Sequence, residues 1–86
     1  MASYRIEIKR SAAKELEQLP PKDRQRVAAR IQALASNPRP PGAEKLSGQD
    51  RYRVRQGDFR ILYEIFDSLI LVVIVKIGNR RDVYRK

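Results

Sequence analysis

A glycine–aspartate pair, Gly57-Asp58, sits between two runs of strand-forming residues, Arg51 to Gln56 and Phe59 to Phe66, and commits the middle of the chain to a β-hairpin. A two-residue loop with glycine first suits a type II′ turn, whose twist matches that of the flanking strands. So short a loop also sets the register, with Arg55 opposite Arg60, Val54 opposite Ile61, Arg53 opposite Leu62 and Tyr52 opposite Tyr63. Side chains alternate faces along a strand, so Arg51, Arg53 and Arg55 share a face with Arg60, while Tyr52 and Val54 point the other way. Like charges directly opposite each other destabilise a sheet by roughly 0.2–1 kcal/mol, a local cost that an anionic ligand relieves. An ordinary solvated strand face is the alternative, because charge runs usually face water.

The elements around the hairpin follow from periodicity. Tyr4, Ile6 and Ile8 alternate with Arg5, Glu7 and Lys9, which predicts a half-buried first strand. Ser11 is placed to cap a short helix on which Ala12, Leu16 and Leu19 form one stripe. Pro20-Pro21 ends that helix and opens a second, since proline breaks a helix interior but fits its first turn. The second helix runs to about Ser36, with Val27, Ile31, Leu34 and Ala35 inward and Lys22, Arg26 and Arg30 outward, and Asn37-Pro38 stops it.

Asn37 to Asp50 holds three prolines and two glycines and reads as a surface connection, ordered only at Glu44-Lys45-Leu46, with Leu46 anchoring it to the core. After the hairpin, Asp67-Ser68 forms a short turn, and Leu69 to Val75, apolar on both faces, forms a central strand. The order β-α-α-β-β-β defines a small single α+β domain over residues 1–86, with a mainly antiparallel sheet and a helical hairpin on one face. A two-residue turn would set Phe66 opposite Leu69 and Arg60 opposite Val75. The last strand then ends beside Gly57-Asp58, and the basic segment Gly78 to Tyr84 emerges next to the arginines.

Composition narrows the chemistry. A net charge of +9 predicts attraction to a polyanion, whether nucleic acid, an anionic membrane surface or an acidic protein. With neither cysteine nor histidine, the chain has no disulfides, no thiolate metal site, no Cys/His nucleophile and almost no route to a zinc site. The first residues alternate charged and apolar too early for a signal peptide, and the run from Leu69 to Val75 is far short of the ~20 residues of a membrane helix. A soluble cytoplasmic protein without membrane contact is expected.

Leu19-Pro20, Asn37-Pro38-Arg39, Lys45-Leu46-Ser47-Gly48, Tyr52-Arg53-Val54-Arg55, Gly57-Asp58-Phe59-Arg60-Ile61-Leu62-Tyr63 and Arg80-Arg81-Asp82-Val83-Tyr84-Arg85 recur in an order that resembles the RelE/ParE toxin superfamily. The likeness spans nearly the whole chain and is strongest to the RelE-like messenger-RNA endonucleases of toxin–antitoxin pairs. It implies binding at the ribosomal A site, with messenger RNA and 16S ribosomal RNA as partners, and cleavage by the messenger's own 2′-hydroxyl without cofactor or metal. It also implies a cognate antitoxin, acidic and partly disordered when free, that folds along the basic surface.

Carried over by position, the resemblance assigns Arg60 and Arg80 as phosphate clamps, suited by their guanidinium forks, and Tyr84 as a base-stacking or proton-transferring group. It places Arg51, Arg53, Arg55, Lys45 and Arg81 in contact with RNA. Relatives often carry lysine where this chain has Arg53 and Arg55, and many carry histidine where it has Asn79. Arginine effectively never deprotonates, so the general base is unassigned, with Glu44 a possible substitute. A ParE-like DNA gyrase poison on the same scaffold, or an inactive RNA- and antitoxin-binding module, are the alternatives.

Overall fold

The computed structural model describes residues 3–46 and 50–79. The hairpin is the part of the fold most directly dictated by local sequence. Strands β3 (Arg51–Gln56) and β4 (Phe59–Phe66) pair antiparallel in the expected register, Arg55 opposite Arg60 and Tyr52 opposite Tyr63. Gly57 takes φ 60° and Asp58 stays at negative φ, as a type II′ turn requires.

Around the hairpin stand β1 (Arg5–Ile8), α1 (Arg10–Glu17), α2 (Pro21–Ala33), β2 (Glu44–Lys45) and β5 (Leu71–Asn79). The sheet order is β1-β5-β4-β3-β2, parallel only between β1 and β5. Both helices pack on one face. Between them and the sheet lies the core, with Ala12, Val27, Ile31, Leu34, Val54, Ile61, Tyr63, Val72, Ile74 and Ile77 all buried. None of the helices among the described residues is long and apolar enough to cross a membrane.

Several expectations are corrected. The residue at the N-cap position of α1 is Lys9 and no side chain caps the helix, so Ser11 lies inside its first turn. Helix α2 ends at Ala33, three residues early, and passes through overlapping turns before Pro38. Arg30 is half-buried rather than solvent-facing, with its charge near the Tyr63 hydroxyl. Leu46 is half-buried but lies outside the buried cluster; its amide donates to the Arg51 carbonyl at 2.8 Å.

The largest correction concerns β5. A 3₁₀ turn over Asp67–Leu69 and a left-handed Ile70 replace the two-residue turn, so Phe66 faces Leu71 and the strand starts at Leu71. A bulge then inserts Val75 between Ile74, opposite Tyr63, and Lys76, opposite Leu62. The bulge explains how Ile74 and Ile77, three residues apart, both stay at 1% exposure or less, because the extra residue switches side-chain parity. The longer turn moves the register by two residues and the bulge by one more, so together they set Arg60 opposite Gly78, not Val75.

Candidate functional site

The face of the sheet away from the helices carries the arginines, and register decides what each one meets. Glu44 of β2 stands opposite Arg53, and their side chains form an ion pair. Arg51 stands opposite Glu64, and its guanidinium lies 3.0 Å from that carboxylate. Two of the three β3 arginines therefore already have an anion supplied by the fold.

The third has a cation opposite it. Arg55 is exposed, faces Arg60, and has no carboxylate partner among the described residues. Arg60 in turn faces Gly78, and Phe59 faces Asn79. Arg55, Arg60 and the end of β5 thus meet at the hairpin tip, whose turn also carries Asp58. Gly78 adds no side chain there, which leaves backbone beside the guanidinium. Two adjacent guanidiniums present several N–H donors to one anion, and a phosphate can accept from both.

Behind this corner, on the helix side, is a cleft of about 310 Å³ lined by Glu15, Leu19, Phe59, Lys76, Gly78 and Asn79, among others. It exists because β1 pairs with β5 only as far as Ile8 opposite Ile74, leaving the rest of that edge uncovered. Glu15 of α1 satisfies the edge instead. Its carboxylate accepts from the Ile77 amide at 2.8 Å and from Lys76 Nζ at 3.1 Å. Those contacts brace the strand end that carries Gly78 and Asn79.

Of the residues singled out from sequence, Arg51, Arg53, Arg55 and Arg60 share the open face, but only Arg55 and Arg60 sit at the tip. Lys45 stands opposite Tyr52, on the other face from the arginines. Arg80, Arg81 and Tyr84 lie outside the described residues. Glu44, weighed as a base, is engaged by Arg53. The partnering of Arg51 by Glu64 was legible in advance, since the register that pairs Arg55 with Arg60 also pairs Arg51 with Glu64.

A second polar group lies at the opposite end of the sheet. Asp67 accepts the Tyr4 hydroxyl at 2.7 Å and both terminal nitrogens of Arg39, at 2.8 and 3.3 Å. Hydrogen bonding by Arg39 and then by Tyr4 holds the Asp67 carboxyl below the ordinary range. The Arg39 Nε–H donates to the Tyr52 hydroxyl at 3.1 Å, and its guanidinium carbon lies 5.3 Å from that ring's centre. Tyr52 stacks on Tyr63 with centroids 5.9 Å apart. This network uses up its own charges and ties four segments together, so we read it as structural.

Residues 6–84 match the family model described as the ParE toxin of the type II toxin–antitoxin system parDE. The chain is 33% identical over 86 residues to the candidate toxin RelE1 of Methanocaldococcus jannaschii, covering 95% of this chain and 96% of that one. Among solved structures it is similar to the toxin–antitoxin complex RelBE2 of Mycobacterium tuberculosis, with TM-score 0.83, 26% identity, and 93% and 94% of the two chains covered. The archaeal RelE–RelB complex of Pyrococcus horikoshii gives TM-score 0.78 at 27% identity, with 91% and 96% covered.

Proposed function

Because the chain belongs to the RelE/ParE superfamily and is a toxin of a type II toxin–antitoxin system, we propose that it arrests growth as a ribosome-dependent endoribonuclease, cutting messenger RNA in the A site. The observation that carries this reading is the cross-strand pairing of Arg55 with Arg60 at the hairpin tip, beside the end of β5.

In the reaction, the 2′-hydroxyl of one nucleotide attacks the adjacent phosphorus. The P–O5′ bond breaks, giving a 2′,3′-cyclic phosphate and a free 5′-hydroxyl. The proton lost by the 2′-oxygen goes to a base, and the departing 5′-oxygen gains one from an acid. The nucleophile belongs to the substrate, so the protein's main task is to hold the phosphate and stabilise charge on its non-bridging oxygens. Arg60 is assigned to those oxygens with Arg55 beside it, and Arg80 and Tyr84 join them on the strength of the resemblance. Arg51 and Arg53 line the approach, where their ion pairs fix the face against which RNA lies. The cytoplasm, where ribosomes translate, is the place of action, and a RelB-type antitoxin is the protein partner.

The decisive experiment adds purified protein to a reconstituted translation reaction and maps messenger 5′ ends, with a parallel sample lacking ribosomes. Cuts confined to translated messenger and to A-site codons are expected. Intact messenger from folded protein would overturn the reading. The match to a ParE family model favours one second reading, inhibition of DNA gyrase; DNA breaks with translation initially intact would select it.

A further inference from the structure

The Lys9 amide on the Ile74 carbonyl, at 3.0 Å, closes the pairing of β1 with β5, and β5 then continues alone on that side to Asn79. Helix α1 takes over along this edge, packed against β5. Its Glu15 does there what a strand would do, accepting the Ile77 amide at 2.8 Å. The same carboxylate accepts from Lys76 Nζ at 3.1 Å, which orients it.

The direction of the Ile77 amide decides how its neighbours are bonded. An amide given to Glu15 is not given to β4, so Ile77 and Ile61 form a non-hydrogen-bonded pair, and the next pair along the antiparallel ladder, Gly78 and Arg60, exchanges both backbone bonds. The hairpin gives the same parity independently. A two-residue loop closes on a hydrogen-bonded pair, here Gln56 and Phe59, which turns the Arg60 amide and carbonyl away from β3 and toward β5. The backbone bonds of Arg60 therefore go to Gly78, the residue next to the one that Glu15 holds.

Beyond Arg60 and Gly78, only the pair of Phe59 with Asn79 remains in this ladder among the described residues. The end of a ladder opens more readily than its middle. On the outer side of β5 the strand pairing stops at Ile74, so Glu15 supplies the bond that keeps Ile77 in line. Charge gives no separate reason for a carboxylate here, since it works against the attraction of RNA to the arginines.

We infer that Glu15 is a positioning residue for the phosphate site, fixing Arg60 through Ile77 and Gly78 from the helix side of the sheet. It acts without touching RNA. Its effect on cleavage rests on the nuclease reading, whereas its hold on Arg60 rests on the strand pairing alone.

Two measurements test the inference. In amide hydrogen exchange by NMR on the free native chain, the Ile77 amide should be protected although no strand lies beside it. In Glu15→Ala the Ile77 and Arg60 amides should exchange about tenfold faster or more, while that of Ile61, which is bonded to β3, stays unchanged. Glu15→Gln keeps an oxygen for the Ile77 amide and gives up only the ion pair, so it should restore protection. In the reconstituted translation reaction, Glu15→Ala should cut messenger about ten- to a hundredfold more slowly at saturating ribosome concentration, with the half-saturating concentration unchanged. Glu15→Gln and Lys76→Met should stay within about fivefold of the native rate. A general loss of stability would not split rate from half-saturation in this way.

Unchanged exchange at Arg60 in Glu15→Ala, or native cleavage by that variant, would overturn the inference. Losses in Glu15→Gln and Lys76→Met equal to that in Glu15→Ala would overturn it too, by assigning the effect to the ion pair. If Glu15→Ala fails to fold, the native chain decides, since an Ile77 amide that exchanges freely there leaves Glu15 holding nothing. If the native chain leaves messenger intact, the nuclease reading falls, and exchange at Arg60 still shows whether Glu15 positions it.

Discussion

Tyr63 donates its hydroxyl to the Pro38 carbonyl across 2.7 Å, a buried bond that fastens the start of the long α2–β2 connection to the central strand of the sheet. The phenol is wholly buried, and burial pushes its pKa up to about 12. Tyr63→Phe keeps the ring that stacks on Tyr52 but leaves the Pro38 carbonyl without its donor. A loss of about 1–3 kcal/mol is expected in urea unfolding at pH 7. The sign of the pH effect follows from the raised value: stability held by the neutral phenol is complete below the unfolded pKa near 10 and is lost as pH climbs toward about 12. The native chain should therefore weaken more steeply across that window than the Phe variant, and parallel curves would contradict the assignment.

Asp67 titrates in the opposite direction. Its carboxyl is lowered, first by hydrogen bonding from Arg39 and then from Tyr4, so its contribution is present above the ordinary carboxylate range and disappears as pH falls through the depressed value. Asp67→Asn should be less stable than the native chain at pH 7 and indistinguishable from it in strong acid. Because the pair is exposed to solvent, added salt should narrow the neutral-pH difference. A gap that persists unchanged in acid would show that the amide fails for a steric reason.

At the same turn, Ile70 is the only residue other than glycine with positive φ among those described. The left-handed conformation costs an L-residue roughly 1–2 kcal/mol, and glycine gives back part of the gain through its freer unfolded chain. Ile70→Gly should stabilise the fold by about 0.5–1 kcal/mol, read as a higher melting temperature. A drop would mean that the exposed isoleucine contributes packing that its 44% exposure conceals.

Local rules made the hairpin legible, because a two-residue turn propagates one register through every pair from Arg55–Arg60 to Arg51–Glu64. Pro20-Pro21 marked the helix junction for an equally local reason, Pro21 occupying the first position of α2. What escaped depended on partners distant in sequence. The bulge at Val75 satisfies packing of both Ile74 and Ile77 against the helices, a demand visible only once the helices are in place. The Asp67–Arg39–Tyr4 network joins residues as far as 63 positions apart, with no periodicity to announce it. Within the site, residue types indicated the arginine face, while the difference in what each arginine faces depended on Glu44, Glu64 and Arg60 across the strands.

That difference yields the sharpest functional test. Arg60→Ala removes a guanidinium from the tip, where the nuclease reading puts the reacting phosphate, and should lower cleavage in the reconstituted reaction by about 10²–10³-fold, the usual cost of one preorganised donor to a developing oxyanion. Arg55→Ala, at the same tip but more exposed, should cost about tenfold, as expected for a solvent-screened contact. Arg51→Ala removes a cation already matched by Glu64 at 3.0 Å and should leave cleavage nearly intact, with its effect appearing in stability instead. The ordering is the content of the prediction. If Arg51→Ala were as damaging as Arg60→Ala while both stayed folded, the phosphate would have to lie along the middle of β3, and the tip would be an approach surface rather than the place where the bond breaks.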